Sequence, residues 1–510
     1  MIHIQSESCK GCRACELVCP MGAISVVAGK ASLKPELCVG CLSCQRECRF
    51  GALTSAPREK SEQWLVCGNC GVKCEIPLNK LGACQRFINI DGQLQRIRPL
   101  QIPDSMNKDA EKIAISRPLI TAVGAGASYP DYHPAPYIVE DQLDGFDVVT
   151  VVTEAPISYS SLMVKIDTNI HLGDEGAIVR RNGKDVGMVS TEQYGSQMLL
   201  FGGCGRVKGP AGNTVVKTMA ELANKQAVEV SVDHGAKLLL QVGQPPIING
   251  EPDSKMRVGC GGACCGLFAQ HLSRLVDEAI ILDHHVTGLF TRHPAGAELL
   301  PYSGVTPVGR MATPGRYFFD HGDGWGGTSV SQPIEAISHI DMSVAHSGMK
   351  ILVAETTWRR IALFEVGEDG QPHAVDIPPA VEEFRRLAAS ACEDSRVSAM
   401  YYAGVGGSAR AGVTVDPIRL TQAVHRGDAR LSIAGAETFL MPGGGITFLA
   451  DVEKMVDRPF NYTASPAVVA PIEYTILRDK YHELGGHMQA IRPKQDVIEE
   501  GRFEYVKLKV

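Results

Sequence analysis

Two features of the sequence predict an α+β, ferredoxin-like two-cluster module at the N-terminus, followed by a large α/β catalytic body. Twelve of the 17 cysteines lie within the first 84 of 510 residues, and eight of them form two repeats with iron–sulfur spacing. The rest of the chain alternates short apolar runs with segments of helical period, which is typical of α/β proteins. We expect the two-cluster domain over 1–57, a second cysteine module over 58–100, a linker over 101–130 and the catalytic body over 131–510.

The two cysteine repeats share the spacing C-x-x-C-x-x-C-x-x-x-C. In bacterial iron–sulfur runs of this spacing, the fourth cysteine of each repeat ligates the other cluster. A structural zinc site or a disulfide framework does not need this doubled pattern. We therefore expect two 4Fe–4S clusters, the first held by Cys9, Cys12, Cys15 and Cys48, and the second by Cys19, Cys38, Cys41 and Cys44.

A second cysteine group follows directly and consists of Cys67, Cys70, Cys74 and Cys84. Four thiolates suit either tetrahedral zinc or an iron–sulfur cluster, and their spacing does not choose between the two. The position of the group beside a two-cluster module favours iron–sulfur, because a further redox centre would extend an electron path. Zinc remains the alternative.

Composition and charge exclude several classes of protein. The net charge of −7 argues against nucleic acid as a partner, because nucleic-acid binding calls for basic patches. No apolar run reaches the length of a membrane span, and the N-terminus lacks the basic start and apolar run of a signal peptide. Free thiolates and clusters suit a reducing compartment, so we expect a cytoplasmic protein without a membrane partner.

The body is predicted to contain buried strands and amphipathic helices. Strands are predicted at the runs richest in Val, Ile and Leu: Asp147–Thr153, Ala227–Val232, Lys237–Val242, Ala279–Leu282, Lys350–Ala354 and Val397–Tyr402. Helices are predicted where apolar residues recur with helical spacing: Thr214–Lys225, Leu267–Asp277, Ala380–Cys392 and Pro417–His425.

A glycine-rich loop is the candidate cofactor site of the body. Clusters deliver single electrons, and flavin is the usual cofactor that converts these into a two-electron hydride transfer. The loop runs directly into a helical pattern, and bare amides at a helix N-terminus bind phosphates. A tight turn with buried cysteines is the equal alternative. The candidate cofactor-binding residues are Gly259, Gly261, Gly262 and Gly266.

Candidate catalytic residues lie in loops that follow apolar runs. His284 and His285 come after a predicted strand, and adjacent strand residues point to opposite faces, so one could serve as an acid while the other packs or binds a metal. Arg316, beside Tyr317, and Arg410 each lie among small residues. A guanidinium in such a loop suits a carboxylate substrate, and surface ion pairing is the alternative.

Eight short segments between about residues 130 and 495 form a further group of motifs. They are 149–156 (VTVVTEAP), 193–198 (QYGSQM), 313–317 (TPGRY), 324–328 (GWGGT), 406–414 (GGSARAGVT), 442–446 (PGGGI), 471–473 (PIE) and 485–488 (GGHM). These segments resemble blocks of the 6-hydroxynicotinate reductase family, and the cysteine-rich head stands in the expected place before them.

The resemblance implies reduction of 6-hydroxynicotinate, as its 6-oxo tautomer, to 1,4,5,6-tetrahydro-6-oxonicotinate in anaerobic nicotinate breakdown. It implies ferredoxin or a similar low-potential carrier as donor, a covalently bound flavin, two 4Fe–4S clusters and one 2Fe–2S cluster that would fit the second cysteine group. We expect Arg316 or Arg410 to bind the ring carboxylate, His284, His285 or Tyr317 to donate a proton, and the chain to form a homo-oligomer. The alternatives are a reductase of another heteroaromatic or unsaturated acid, and an electron-transfer subunit that docks a partner enzyme.

Overall fold

A computed structural model describes most of the chain. The described residues are 2–55, 64–67, 72–97, 100–104, 134–135, 137–143, 145–156, 158–192, 196–293, 301–313, 316–319, 321–406, 410–463, 466–499 and 503–507. Cys70 lies outside them, and so does the predicted linker 101–130 except for its first four residues.

The described residues form ten α-helices and 36 strands. The helices are α1 Ala14–Leu17, α2 Ser43–Glu47, α3 Cys204–Lys208, α4 Gly212–Ala223, α5 Gly261–Leu267, α6 Ala269–Leu272, α7 Pro379–Ser390, α8 Pro417–Arg426, α9 Arg478–Glu483 and α10 Lys494–Glu499. The strands up to residue 202 are β1 Ile2–Ile4, β2 Ile24–Val27, β3 Lys30–Leu33, β4 Leu53–Ser55, β5 Leu65–Val66, β6 Glu75–Ile76, β7 Phe87–Ile90, β8 Gln93–Arg96, β9 Leu100–Asp104, β10 Tyr137–Leu143, β11 Phe146–Pro156, β12 Ser158–Asp167, β13 Ile178–Arg181, β14 Lys184–Thr191 and β15 Ser196–Gly202.

The remaining strands belong to the body and the C-terminus. They are β16 Val228–Val232, β17 Lys237–Leu240, β18 Ile247–Ile248, β19 Glu251–Pro252, β20 Glu278–Leu282, β21 Val286–Leu289, β22 Val305–Pro307, β23 Arg310–Thr313, β24 Arg316–Phe318, β25 Ile337–Ile340, β26 Lys350–Glu355, β27 Ile361–Val366, β28 Pro372–Val375, β29 Val397–Val405, β30 Ala429–Ile433, β31 Ala436–Leu440, β32 Ile446–Asp451, β33 Asn461–Thr463, β34 Ala467–Leu477, β35 Ile491–Pro493 and β36 Phe503–Lys507.

Residues 2–55, called the head below, form the small α+β module that the cysteine repeats predict. Strand β1 pairs with β4 and β2 pairs with β3, both in antiparallel orientation. The short helices α1 and α2 each follow a residue with a left-handed backbone, Arg13 at φ 60° and Leu42 at φ 63°. These sparsely allowed conformations turn each cysteine loop sharply into its helix.

Most of the body is a barrel-like system of paired strands wrapped around one helix. The strand order is β35-β10-β11-β34-β30-β31-β32-β29-β12-β15-β14-β13-β16-β17-β18-β19, and β33 also pairs with β34. Helix α4 contacts β12, β14, β15, β16, β33 and β34. Ten of its twelve residues are buried, as expected for a helix enclosed on nearly all sides.

The second sheet of the body has seven strands in the order β23-β24-β21-β20-β26-β27-β28. Its central pair, β20 and β26, is parallel, and its other pairs are antiparallel. The body is therefore mixed α and β, as predicted. Among the described strand pairs only β20–β26, β10–β35 and β9–β36 are parallel. The body therefore consists mostly of antiparallel pairs and does not have the repeated strand–helix alternation of a parallel sheet.

One predicted helix differs from the observed structure. The segment Leu267–Asp277 was expected to be helical, but the structure has α5 over Gly261–Leu267 and α6 over Ala269–Leu272. Most of the glycine-rich run therefore belongs to α5 itself. A Cβ on Gly261 would lie 2.2 Å from the Val286 carbonyl oxygen, so only glycine lets α5 pack so closely on β21. In the described part of the chain no helix is long and apolar enough to cross a membrane.

Candidate functional site

The head contains two cavities, each lined by four cysteines. The first is lined by Cys9, Cys12, Cys15 and Cys48. The second is lined by Cys19, Cys38, Cys41 and Cys44. The fold therefore brings together the same two sets of four thiols that the crossed-repeat pattern predicts, with the fourth cysteine of each repeat lying at the other repeat's cavity.

The chemistry around these thiols fits iron–sulfur clusters. The backbone N–H of Ala31 donates to Cys9 Sγ at 3.4 Å, and the N–H of Ala23 donates to Cys19 Sγ at 3.2 Å. Backbone hydrogen bonds from Gly11 and Ala31 lower the pKa of Cys9. Such donors stabilise thiolate sulfur, and hydrogen bonds to sulfur also tune cluster potentials.

The described members of the second cysteine group lie against the head. The hairpin of β5 and β6 places Cys67 beside Cys74, whose carbonyl accepts a hydrogen bond from the Cys67 N–H at 2.9 Å. Both side chains are buried with Val39 of the head in one apolar cluster. Gln85, next to Cys84, donates from Nε2 to the Pro20 carbonyl at 2.8 Å. The group therefore borders the second cysteine cavity, whose member Cys19 immediately precedes Pro20.

The head is attached to the enclosed helix of the body by buried polar contacts. Glu47 of α2 has a fully buried side chain and is paired with Lys184 of β14. Its carboxylate also accepts from Thr214 Oγ1 of α4 at 2.8 Å. Asn213 Nδ2 donates to the Ser43 carbonyl at 3.0 Å. Polar side chains near the start of α4 thus hold the head against the body.

A polar network lies at the edge of the seven-stranded sheet where the parallel strands β20 and β26 end. Asp283, directly after β20, forms a buried ion pair with Arg257, and the two side chains are 0% and 1% exposed. Glu355, at the end of β26, accepts from the Gly326 N–H at 2.9 Å and from Arg360 at 2.6 Å. The carboxyl ends of adjacent parallel strands are a common position for ligand sites.

Four histidines, called the histidine cluster below, gather beside this edge: His171, His284, His285 and His321. The rings of His171 and His321 stack with centroids 3.8 Å apart, and those of His284 and His285 are 4.0 Å apart. The His284 and His321 centroids are 5.5 Å apart. The cluster combines the loops after β12, β20 and β24, so it joins the barrel-like system to the seven-stranded sheet.

The two predicted histidines have different environments. His284 is fully buried, and burial, the Arg257 guanidinium and the neighbouring histidines lower its pKa to about 2. It is therefore a neutral imidazole near pH 7 and is poorly suited to act as a cationic acid. His285 is partly exposed, and its Nε2 lies 2.7 Å from the Glu192 carbonyl oxygen. Of the two, His285 is the better placed to exchange a proton.

The other predicted catalytic residues are divided between two places. Arg316 and Tyr317 lie on β24, which pairs with the strand that follows the histidines, and Tyr317 is buried in the apolar core of that sheet. Arg410 instead donates from Nε to the Gly406 carbonyl at 3.4 Å and is also bonded to Thr421 of α8. No contact within the described residues joins Arg410 to the histidine cluster.

The glycine loop has a packing role that the phosphate hypothesis did not include. The N–H of Gly261 donates to the Asp283 carboxylate at 3.1 Å, so a side-chain anion already takes this amide at the start of α5. Gly261 and Gly288 approach so closely that a Cβ on Gly288 would lie 2.1 Å from the Gly261 carbonyl oxygen. The geometry therefore does not support phosphate binding at Gly261. Gly259, Gly262 and Gly266 have no described contact that assigns them to a cofactor.

Several site residues were missed from the sequence. His171, Asp174, Glu192 and His321 meet in space, with one ligand atom from each within 4.8 Å of the others. Each lies in a polar segment that follows a strand. Asp174 and His321 are also next to glycines, in the sequences 171–174 (HLGD) and 320–323 (DHGD). Polar side chains after strand ends were the available signal, whereas the sequence argument considered only the adjacent histidine pair and the arginines in glycine-rich loops.

Comparison with known proteins identifies the head domain and the family of the chain. A 4Fe–4S dicluster domain matches residues 8–52, a span that contains all eight head cysteines. The 6-hydroxynicotinate reductase of Eubacterium barkeri is 44% identical over 494 residues, which cover 96% of this chain and 99% of that protein. No solved structure matches the chain. The chain therefore has an iron–sulfur dicluster head and belongs to the 6-hydroxynicotinate reductase family.

Proposed function

We propose that this protein reduces 6-hydroxynicotinate to 1,4,5,6-tetrahydro-6-oxonicotinate, with electrons from ferredoxin or a similar low-potential carrier. The observation that carries the proposal is the 44% identity to the Eubacterium barkeri reductase over 96% of the chain. A match of that length includes both the cysteine-rich head and the body. The proposal places the protein in the cytoplasm, where thiolates and clusters stay reduced.

The eight head cysteines are proposed to hold two 4Fe–4S clusters in the sets that line the two cavities. The second cysteine group is proposed to hold a 2Fe–2S cluster, with zinc as the alternative. Its contact with the head beside Pro20 supports a redox role, because a centre there would lie next to the second cavity. Together these centres would carry single electrons toward the body.

The body is proposed to bind a flavin, which when bound would supply the conversion of single electrons into a hydride. The support is the electron count of the reaction and the family resemblance, and none of the described residues is assigned to the flavin. The reaction itself adds two electrons and two protons across the C4–C5 double bond of the pyridone ring. It therefore requires a proton donor and groups that orient the ring.

The histidine cluster is the proposed substrate-binding part of the body. His285 is fixed by its contact with the Glu192 carbonyl and is the proposed proton donor, because it is less buried than His284. The fully buried, neutral imidazole of His284 would instead position the rings of His285 and His321, against which it packs. Arg316, on the strand paired with β21, would bind the carboxylate and so fix the ring orientation. If Arg410 binds the carboxylate instead, the ring lies near the other end of β12 and the histidine cluster is not the substrate site.

The direct test is an anaerobic assay of the purified protein with reduced ferredoxin and a panel of pyridone and unsaturated acids. We expect 6-hydroxynicotinate to be consumed with two electrons per ring, and its product to be identified by mass and NMR. Faster turnover of another acid would change the substrate, and no turnover of any acid would favour an electron-transfer subunit.

A separate measurement tests the flavin. After acid precipitation of protein with full cluster content, we expect flavin absorbance in the pellet, because the family resemblance implies a covalent link. Flavin in the supernatant would mean a non-covalent cofactor. The absence of flavin from both fractions would contradict a hydride mechanism based on flavin.

A further inference from the structure

We propose that His171, Glu192 and His321, with Asp174 at the solvent side, bind a divalent transition metal of the zinc type in the body. This site is distinct from the twelve cysteines of the N-terminal region. It lies at the junction between the barrel-like system and the seven-stranded sheet, where three loops converge.

The geometry is that of a compact ligand set. One ligand atom from each of the four residues lies within 4.8 Å of the others, a spread that a single ion could bridge with small side-chain adjustments. Glu192 Oε2 lies 3.3 Å from His171 Nδ1 and 3.8 Å from His321 Nδ1. Asp174 Oδ1 lies 3.9 Å from His321 Nδ1 and 3.4 Å from His171 Nε2.

Two of these ligand atoms lack a hydrogen-bond partner in the part of the chain that the structure describes. His171 Nδ1 and Glu192 Oε2 are both buried and have no hydrogen-bond partner among the described residues. A buried polar atom without a partner costs about 1–3 kcal/mol, and a carboxylate oxygen costs more. A cation between them would bind both atoms, whereas the alternative, a hydrogen bond from His171 Nδ1–H to Glu192 Oε2, is not formed although the two atoms are 3.3 Å apart.

The donor set selects the class of metal. Two imidazoles and one or two carboxylates are borderline nitrogen and oxygen ligands, which suit Zn²⁺ in a site that keeps an open position. Calcium and magnesium prefer oxygen ligands alone. Because the Asp174 side chain is 83% exposed, the site is open on that side to water or to a substrate oxygen.

Surrounding contacts hold the ligands in place. His285 Nε2 contacts the carbonyl of Glu192 and thereby fixes the chain beside one ligand. His284, which precedes His285 in the sequence, packs against the rings of His171 and His321, whose centroids are 6.2 and 5.5 Å from its own. Supporting contacts of this kind orient the ligands of metal sites.

The metal would also have a use in the reaction. A divalent ion with an open position can polarise a carbonyl oxygen, and the substrate carries both a lactam oxygen and a carboxylate. This use rests on the proposed function, whereas metal binding itself does not. The test below therefore measures metal content and ligand type without turnover.

The experiment uses the full-length protein, purified anaerobically from cells grown with added Zn²⁺. Zinc, iron and sulfide are measured for the wild type and for the variants His171→Ala, His321→Ala and Asp174→Asn. Asp174→Asn is included because its side chain is exposed, so its replacement leaves the packing of the fold intact. His346→Ala is the matched control, since among the described residues the ring of that exposed histidine hydrogen-bonds only to the Ser347 carbonyl.

We expect the two histidine variants to lose one equivalent of zinc while iron and sulfide stay unchanged, and Asp174→Asn to bind zinc at least about tenfold more weakly. The X-ray absorption spectrum should show nitrogen or oxygen ligands at about 2.0–2.1 Å, rather than sulfur alone at about 2.3 Å as at a zinc site in the second cysteine group. A wild type without zinc, zinc with sulfur ligands alone, or equal zinc in every variant would overturn the proposal.

Discussion

Replacing Lys184 by Met should destabilise the attachment of the head to the body by about 3–5 kcal/mol. Lys184 is paired with Glu47, whose side chain is fully buried, and it is itself only 17% exposed. After the replacement, the Glu47 carboxylate would keep one hydroxyl donor, Thr214 Oγ1, and no described cationic partner. The magnitude follows from the cost of leaving one member of a buried ion pair without its counter-ion.

The same reasoning predicts a rescue. Changing both residues, as Glu47→Leu with Lys184→Met, removes the buried charge together with its partner. Apolar replacement of a whole buried pair is often neutral or stabilising, so the double variant should regain most of the lost stability. The exposed Lys34→Met in the same head is the control, and it should stay within about 0.5 kcal/mol of the wild type.

The assay is anaerobic denaturant unfolding, followed by cluster absorbance for the head and by far-ultraviolet circular dichroism for the whole chain. The cluster transition of the single variant should move to lower denaturant, and that of the double variant should return toward the wild type. A single variant as stable as the wild type would refute the reasoning. A double variant less stable than the single one would refute it equally, because it would show that the pair is not dominated by the buried carboxylate.

Three further predictions concern the second cysteine group, the carboxylate site and a buried acid. Analysis should find about ten irons per chain, whereas about eight irons together with zinc bound by sulfur ligands at about 2.3 Å would make the group a zinc site, in which case Cys70→Ser should destabilise the fold. Truncating the arginine that binds the carboxylate, Arg316 or Arg410, should raise the KM for 6-hydroxynicotinate at least tenfold, because about 2–5 kcal/mol of binding free energy is lost. The KM for a pyridone without the carboxylate should hardly change. Burial raises the pKa of Glu278, so the unfolded state ionises first and the fold loses stability as pH rises above the ordinary value of 4.5. Glu278→Gln cannot ionise, so its denaturant midpoint should rise relative to that of the wild type as the pH increases above 4.5, and a gap that shrinks with pH would contradict this.

Local patterns made much of the head and several body elements predictable. The cysteine spacing is a short-range signal, and the predicted strand Lys350–Ala354 is observed as Lys350–Glu355. The predicted helix Thr214–Lys225 is likewise observed as Gly212–Ala223. Its central position was not predictable, because the buried polar residues Asn213 and Thr214 resemble a solvent-facing stripe until their partners in the head are known.

The candidate site was much less predictable because it is assembled over long range. His171, Glu192 and His321 come from loops after three different strands, and no single stretch of sequence contains more than one of them. The loop at Gly261 illustrates the opposite error. Its glycines suggested a phosphate site, but Gly261 is required by close packing of α5 on β21, which is a long-range contact as well.

The arrangement of head and site along β14 bears on the need for a further redox centre. Lys184 is the first residue of β14 and lies beside Cys12 and Cys15, whose thiols oppose the lowering of the Lys184 pKa by burial. Glu192 directly follows the last residue of the same strand. Eight residue steps at about 3.3 Å each separate the two by about 26 Å along the strand. The rate of electron tunnelling falls exponentially with distance, so one step over such a length would be slow. Electrons from the first cysteine cavity would therefore need an intermediate centre on the way to the histidine cluster, either one of the other N-terminal centres or a cofactor of the body such as flavin.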